Sequence, residues 1–182
     1  NNVNVIGLDL AKNVIQVCKI SQHGELLSNK VISRQKLKEL LANSSPLIVA
    51  MEGCGSCHYW GRFAKSHGHE VRIVSPKQVK GFLTGQKTDA NDALAITAAA
   101  MQLGMKFCPV KEIDQQSLQT LETSRKLLDK ERTAFNNHIR AFLFEYGITA
   151  GKGRKNLSPK MHTVLVEEVR LPQLLRSTLT FN

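Results

Sequence analysis

The sequence predicts an α/β protein built on a mixed β-sheet, and three patterns support this prediction. Three strand-like segments follow one another at the start of the chain with short turns between them, as in an antiparallel meander. Helical and apolar strand-like segments then alternate, which is typical of parallel strands joined by helices. A long amphipathic pattern follows over residues 115–146 and indicates one extended helix.

The three strands of the meander are expected at the very start of the chain. Residues 3–10 (VNVIGLDL) are rich in apolar and β-branched side chains, which suits a buried strand. Residues 14–20 (VIQVCKI) alternate apolar and polar side chains, so they predict a strand with one buried face. Residues 22–25 (QHGE) supply a turn, and residues 26–32 complete the meander.

The alternating part begins with a helix at 34–43, for which Ser33 is a favourable N-cap. Residues 47–51 (LIVAM) are a short apolar run of the kind found in buried parallel strands. The next predicted elements are a helix at 57–67 before Gly68, a strand at 71–74, a helix at 76–82 and an alanine-rich helix at 90–103. The order up to the third helix, βββαβαβα, is the plan of the ribonuclease-H-like fold. Nucleases, transposases and sugar kinases share this fold, so it leaves the function open.

Apolar side chains recur every seven residues in the long helix, as they do in a coiled coil. These side chains are Leu121, Leu128, Phe135 and Phe142, with Leu118, Ile139 and Tyr146 on the companion positions. Arg125 and Arg132 also occupy the companion row, so the predicted seam is not purely apolar. We expect the helix to join copies of the chain into a homo-oligomer, and the two arginines to face nucleic acid or a partner's acids.

The charge balance points to a polyanionic partner. Lys and Arg number 25 against 15 Asp and Glu in the 182 residues, which gives a net charge of +10. Such an excess most often reflects nucleic-acid binding. No run approaches the ~18 uninterrupted apolar residues of a membrane helix, so no membrane association is expected. Four cysteines are few for a disulfide scaffold, and we expect a cytoplasmic protein.

Two carboxylates are expected at neighbouring positions of the sheet. Asp9 lies in the first strand among apolar residues, where a charge is costly to bury unless it is paired or binds a metal. Glu52 directly follows the apolar run 47–51, at the end of a parallel strand, where functional side chains are common. The first and fourth strands of a ribonuclease-H-like sheet are neighbours, so the two acids should lie side by side. Because like charges repel, two adjacent carboxylates usually bind a divalent cation.

Residues 87–93 (KTDANDA) add two acids at a predicted helix start. Asp89 and Asp92 are three residues apart and therefore share one helix face. With the two strand acids they can hold two Mg²⁺ ions, or Mn²⁺, for phosphodiester cleavage. In a competing interpretation Asp89 only caps the helix, and Asp92 is favoured by the helix dipole.

Four segments together resemble the DEDD transposases of insertion-sequence family one-ten and its eleven-eleven subgroup. They are GLDLAK (7–12), MEG (51–53), VSPKQVKGF (74–82) and KTDANDA (87–93). Each segment alone is weak evidence for the family, but the order and spacing of the four segments make the combination specific for it. The resemblance implies a RuvC-like catalytic domain at 1–108, a coiled-coil helix at 109–150, and the start of a linker or further helices at 151–182.

The same resemblance implies that Asp9, Glu52, Asp89 and Asp92 form the family's acidic tetrad and bind Mg²⁺. It implies a bacterial or archaeal, nucleoid-associated recombinase that cuts and rejoins DNA as an oligomer, guided by a structured RNA. Family members also have a second domain with a nucleophilic serine further along the chain. Nothing in 147–182 resembles that domain. We therefore expect an N-terminal portion that needs the serine domain for full activity.

Four lysines flank the acids in the sequence and are expected to contact phosphates, which positions nucleic acid without reading its bases. They are Lys12, Lys77, Lys80 and Lys87. Solvent-exposed lysines without a binding role are the alternative for each of them.

Two metal-binding patterns overlap the turn after the fourth strand. Residues 54–58 (CGSCH) match the haem-attachment pattern, but covalent haem attachment requires export, and no signal peptide is visible. Cys54 and Cys57 could be combined with His67 and His69 into a zinc site, although the spacing is not that of a zinc finger. We expect buried or half-buried thiols without a metal.

Two further functions are open at this point. A free-standing junction-resolving nuclease would use the same four acids without a serine domain. A non-catalytic module that binds RNA or DNA and dimerises would show salt-dependent binding that survives loss of the acids. A sugar-kinase-like ATPase is less consistent with the sequence, which lacks the second phosphate-binding half.

Overall fold

A five-stranded mixed sheet is the centre of the fold in this computed structural model, which describes residues 3–86, 88–149 and 172–173. Its strands are β1 (Val3–Leu10), β2 (Val14–Ser21), β3 (Leu26–Ser33), β4 (Ile48–Glu52) and β5 (Glu70–Val74). They lie in the order β3-β2-β1-β4-β5. The first three strands are antiparallel, whereas β4 runs parallel to β1 and β5 runs parallel to β4. The predicted ribonuclease-H-like arrangement is confirmed.

The helices also follow the predicted order. They are α1 (Arg34–Asn43), α2 (Cys57–Ser66), α3 (Pro76–Val79) with a 3₁₀ turn (Lys80–Phe82), α4 (Asp89–Met101) and α5 (Ile113–Glu145). The start of α1 is the predicted one, because the Ser33 hydroxyl accepts a hydrogen bond from the Lys36 backbone N–H at 3.2 Å. Most other ends differ from the predicted ones by one or two residues, which is the usual uncertainty at frayed ends.

The sheet is covered on both faces, and its side chains alternate between them. On one face Ile6 and Leu8 of β1 pack in a core with residues of α1 and α2, including the fully buried Trp60. On the other face Val5 packs in a second core with α4 residues such as Ile96. The odd-numbered residues of β1 therefore face α4, and Asp9 continues that series.

The haem-like and zinc-like patterns have structural explanations in this fold. His69 is buried, accepts the Leu47 backbone N–H at Nδ1 (3.3 Å) and donates from Nε2 to the Leu41 carbonyl (2.7 Å). Both ring nitrogens are therefore occupied, and His69 is not available as a zinc ligand. His58 likewise accepts the Lys111 backbone N–H at Nδ1 (3.2 Å), so its ring ties α2 to the segment before α5.

The chain divides into two compact units, residues 1–116 and 117–182, and α5 begins in the first and continues in the second. In the described part of the second unit Ile139 and Leu143 are buried. The predicted seam residues Leu118, Leu121, Leu128 and Phe135 are exposed. The coiled coil stays a prediction, and the short helices expected within 159–180 lie outside the described residues. No helix in the described part of the chain is both long and apolar enough to cross a membrane.

Candidate metal centre and nucleic-acid interface

Three carboxylates meet where β1 ends and α4 begins. Asp9, Asp89 and Asp92 each offer one carboxylate oxygen, and these oxygens all lie within 4.8 Å of one another. Asp89 is exposed, and the other two are half-buried. Three negative charges at this separation repel each other, and one shared divalent cation would offset that repulsion. The oxygen donors suit a hard cation such as Mg²⁺ or Mn²⁺.

Asp92 supplies independent support that the cluster fits a cation. Its Oδ1 atom is buried, and within the described part of the chain no hydrogen-bond donor reaches it. A buried charged oxygen without a donor is costly, because it has lost its water and gained no partner. A metal ion bound by the three carboxylates would satisfy this oxygen, so the residues present fit a divalent cation.

The start of α4 leaves the Asp89 carboxylate available. Thr88 is the N-cap, since its hydroxyl accepts the Asn91 backbone N–H at 3.2 Å. The Asn91 side chain donates to the Gln86 carbonyl at 2.7 Å, which ties the first turn to the preceding segment. The interpretation of Asp89 as the cap is therefore wrong, whereas the helix dipole still favours a negative Asp92 in the first turn.

Glu52 lies near Asp9, as predicted, but outside the set of converging oxygens. The parallel pairing sets Leu8 opposite Met51, so Asp9 and Glu52 are the next residues of two neighbouring strands. Both carboxylates act on one thiol: partial burial, reinforced by negative groups that include Glu52 and Asp9, raises the pKa of Cys54 to about 11. Glu52 therefore lies beside Asp9 on the neighbouring strand, although among the described residues only the three aspartates meet within 4.8 Å.

A close approach between α4 and β1 brings the two halves of this site together. A Cβ atom added at Gly7 would lie 1.9 Å from Thr97 Oγ1 and 2.7 Å from the Ala93 carbonyl. The helix thus packs directly on the strand backbone two residues before Asp9. Gly7 was not among the predicted site residues, although a glycine inside a strand pattern is a known sign of close backbone approach.

The lysines predicted to contact phosphates are exposed where the structure describes them. Lys12 follows β1 in the hairpin turn, Lys77 lies in α3, and Lys80 lies in the 3₁₀ turn after it. Lys87 lies outside the described residues. Exposure is compatible with a phosphate contact, and their role stays a prediction.

The two arginines of the predicted seam contact acids of their own helix. Arg125 Nε lies 2.9 Å from Glu122 and its Nη1 lies 3.3 Å from Asp129, which Arg132 also contacts. Hydrogen bonds from Arg125 and Lys126 hold the pKa of Glu122 down to about 2. A phosphate group would have to compete with these intrahelical partners for either guanidinium.

A basic groove, which was not predicted from the sequence, lies on the sheet face opposite the acids. It encloses about 260 Å³ between β2, β3 and α1 and is lined by Val17, Lys19, Ser28, Lys30, Ile32, Lys36 and Leu40. None of these residues is acidic. The strand register, which pairs Val17 with Lys30 and Lys19 with Ser28, puts the two strand lysines on one face. Only the register reveals this, because the two lysines are eleven positions apart in the sequence.

The family model and several of the curated relatives that match this chain are described as transposases. The family model of the DEDD transposases of IS110, described as "Transposase", matches residues 6–148. A "Probable family 20 transposase" of Pseudomonas aeruginosa is 39% identical over 92% of this chain and 50% of its own length. The "Transposase for insertion sequence element IS1328" of Yersinia enterocolitica is 37% identical over 98% of this chain and 53% of its own. The chain thus spans about half the length of the curated relatives it matches.

The solved structures that match include T. thermophilus RuvC in complex with a Holliday junction substrate. It is 18% identical, with a TM-score of 0.38, over 53% of this chain and 90% of that one.

Proposed function

Because the chain belongs to the DEDD transposases of IS110, we propose that it contributes the metal-binding catalytic domain of a DNA recombinase that acts on phosphodiester bonds. The observation that carries the proposal is the convergence of Asp9, Asp89 and Asp92 within 4.8 Å. The buried Asp92 oxygen without a described donor supports it further. The excess of basic residues suits the polyanionic substrate.

Each acid has a role in this proposal. The three aspartates hold Mg²⁺ or Mn²⁺ directly, and Glu52 joins them from the neighbouring strand. A bound divalent ion would supply Lewis-acid stabilisation of charge at the scissile phosphate. The carboxylates lie at the end of β1 and the start of α4, which pack against each other. In this proposal their position determines where the scissile phosphate binds.

The finer parts of the proposal follow from the family resemblance. They are guidance by a structured RNA, a separate domain with a nucleophilic serine, and a homo-oligomer formed through α5. The exposed apolar side chains of Leu121, Leu128 and Phe135 support the last of these. A recombinase that acts on bacterial or archaeal DNA works in the cytoplasm beside the nucleoid, and the proposal includes that location.

A free-standing junction-resolving nuclease is the second candidate, and the same three-aspartate cluster favours it. Such an enzyme needs no serine domain. Cleavage of synthetic four-way DNA junctions by this chain alone, dependent on Asp9, would favour the resolvase. Cleavage only in the presence of the serine domain would favour the recombinase.

Calorimetric titration with Mn²⁺ and Mg²⁺ tests the metal site directly. We expect the chain to bind Mn²⁺, and both Asp9→Asn and Glu52→Gln to weaken binding at least tenfold, or about 1.4 kcal/mol. Glu25→Gln is the control, because Glu25 is exposed in the β2–β3 turn away from the cluster. Affinities that are equal in the unmodified chain and in both variants would contradict the proposal.

Nucleic-acid binding through the predicted lysines can be tested by its salt dependence. Replacing Lys77 and Lys80 together by alanine should weaken binding to duplex DNA and lower the slope of log K against log salt by about 2, since each phosphate contact releases counterions. Fluorescence anisotropy at several salt concentrations measures both quantities. Lys65→Ala, at an exposed site in α2, is the matched control. An unchanged slope in the double variant would exclude these two lysines as phosphate contacts.

A further inference from the structure

An amide pair connects the sheet to the first turn of α4. Gln16 in β2 donates from Nε2 to the Asn29 side-chain oxygen in β3 at 2.6 Å. Asn29 in turn donates from Nδ2 to the backbone carbonyl of Ala90 at 2.8 Å. Gln16 is 7% exposed, so the first of these hydrogen bonds is largely shielded from water.

The chemistry of the two amides and the carbonyl determines which group donates in each of these two hydrogen bonds. The Ala90 carbonyl can only accept, so Asn29 must present its NH₂ group to the helix. Its side-chain oxygen then faces Gln16, whose NH₂ group donates to it. A single arrangement of both amides satisfies all the contacts, and hydrogen bonds in such a chain reinforce one another.

The location of the pair relates it to the acids. Gln16 is the cross-strand partner of Asp9 in the antiparallel β1–β2 ladder, so the two side chains are neighbours on the face that α4 covers. Ala90 directly follows Asp89 and precedes Asp92 by two residues. The amide pair therefore links the strand beside one metal-site carboxylate to the helical turn that carries the other two.

The other contacts near the start of α4 do not hold its first turn against the sheet. The hydrogen bonds of Thr88 and Asn91 are local to the helix start and the segment before it. The close approach at Gly7 involves Ala93 and Thr97, further along the helix, and sets the distance between helix and sheet. The bond from Asn29 acts on the first turn itself and opposes rotation of that turn about the helix axis.

We propose that Gln16 and Asn29 are positioning residues for the divalent-cation site: they hold the first turn of α4 so that Asp89 and Asp92 meet Asp9. This inference rests on the proposed function, because it presumes that the three aspartates bind a cation. Replacing a residue that orients metal ligands without touching the metal commonly changes metal affinity by about 10–100-fold.

The test is the affinity for Mn²⁺ of Asn29→Ala, measured by calorimetry at a temperature where the variant is fully folded by circular dichroism. We expect an affinity about tenfold weaker than that of the unmodified chain. Asn43→Ala is the matched control, since Asn43 also donates its side-chain NH₂ to a helix carbonyl, that of Glu39, at 2.9 Å. That bond lies on the exposed surface of α1, and its loss should leave Mn²⁺ affinity unchanged.

Gln16→Ala provides a second, milder variant, which retains the bond from Asn29 to the helix and carries the test if Asn29→Ala does not fold. We expect about a threefold loss of affinity, and little additional loss when Gln16→Ala is combined with Asn29→Ala, because Gln16 acts through Asn29. A purely structural role predicts lower melting temperatures by equal amounts with and without Mn²⁺, at unchanged affinity. That result would overturn the inference.

Loss of the positioning role and absence of the metal site would give different binding results. If the unmodified chain binds Mn²⁺ and Asp9→Asn abolishes binding, while Gln16→Ala and Asn29→Ala bind normally, only the positioning role is wrong. If the unmodified chain does not bind Mn²⁺, or Asp9→Asn binds equally well, both the metal site and the positioning role are wrong.

Discussion

Replacing Gly7 by alanine is expected to lower the free energy of unfolding by about 3 kcal/mol or more. The added methyl group would lie 1.9 Å from Thr97 Oγ1 and 2.7 Å from the Ala93 carbonyl, and neither distance is sterically possible. The second contact is with helix backbone, so a side-chain rotation cannot relieve it. The whole helix α4 must move away from β1, and the cores on this face of the sheet lose packing.

Urea unfolding followed by circular dichroism measures this effect. Gly55→Ala is the matched control, because a Cβ atom added there would have no described residue within 4 Å other than its own two chain neighbours. It should change stability by less than about 0.5 kcal/mol. Equal stability of the Gly7→Ala and Gly55→Ala variants would mean that α4 does not pack on β1 as closely as the structure describes.

A second substitution separates the two contacts at Gly7. Thr97→Ala removes the oxygen 1.9 Å from the added methyl group but leaves the Ala93 carbonyl in place. The Gly7→Ala/Thr97→Ala double variant should therefore recover only part of the lost stability. The same movement of α4 separates Asp89 and Asp92 from Asp9, so Gly7→Ala should also weaken Mn²⁺ binding.

Asp92→Asn is expected to change stability in opposite directions with and without metal. In EDTA the variant should be more stable by about 1 kcal/mol, since it removes one of three mutually repelling charges and a buried anionic oxygen without a described donor. With Mn²⁺ at a hundred times its dissociation constant, the unmodified chain should gain about 2.7 kcal/mol, whereas the variant should gain almost nothing. Thermal unfolding in EDTA and in Mn²⁺ measures whether the variant changes from more stable to less stable than the unmodified chain.

Asp114→Asn controls for the helix dipole. Asp114 is an exposed aspartate in the first turn of α5, just as Asp92 lies in the first turn of α4. Its replacement should cost a few tenths of a kcal/mol in both conditions, because only a dipole interaction is lost. If Asp92→Asn behaved in the same way, with Mn²⁺ stabilising both variants as much as the unmodified chain, Asp92 would not be a metal ligand.

Most of the secondary structure and the identity of the clustered acids could be predicted from the sequence. Apolar and β-branched composition identifies β1, alternation of apolar and polar side chains identifies β2, and Ser33 marks the start of α1 through a hydrogen bond within its own turn. Asp89 and Asp92 share a face because a helix repeats every 3.6 residues. Each of these is a local rule, which acts over a few neighbouring residues and needs no knowledge of the remaining chain.

The competing interpretation of Asp89 shows where local rules become ambiguous. Thr88 and Asp89 are adjacent and both are favourable cap residues, so the pattern alone does not choose between them. The structure assigns the cap to Thr88, and this leaves the Asp89 carboxylate for the cluster. A shift of one residue in the helix start thus decides the chemical role of an acid.

The sequence by itself determined the order of the elements, the strand and helix that carry the aspartates, and the basic character of the chain. Only the tertiary structure decided that α4 returns to lie on β1 at Gly7, that Asn29 binds the carbonyl of Ala90 in the first turn of α4, and that the Glu52 carboxylate lies outside the three aspartate oxygens that converge within 4.8 Å. These contacts join residues far apart in the sequence. They depend on strand register and on packing distances of a few tenths of an ångström, which no pattern of neighbouring residues encodes.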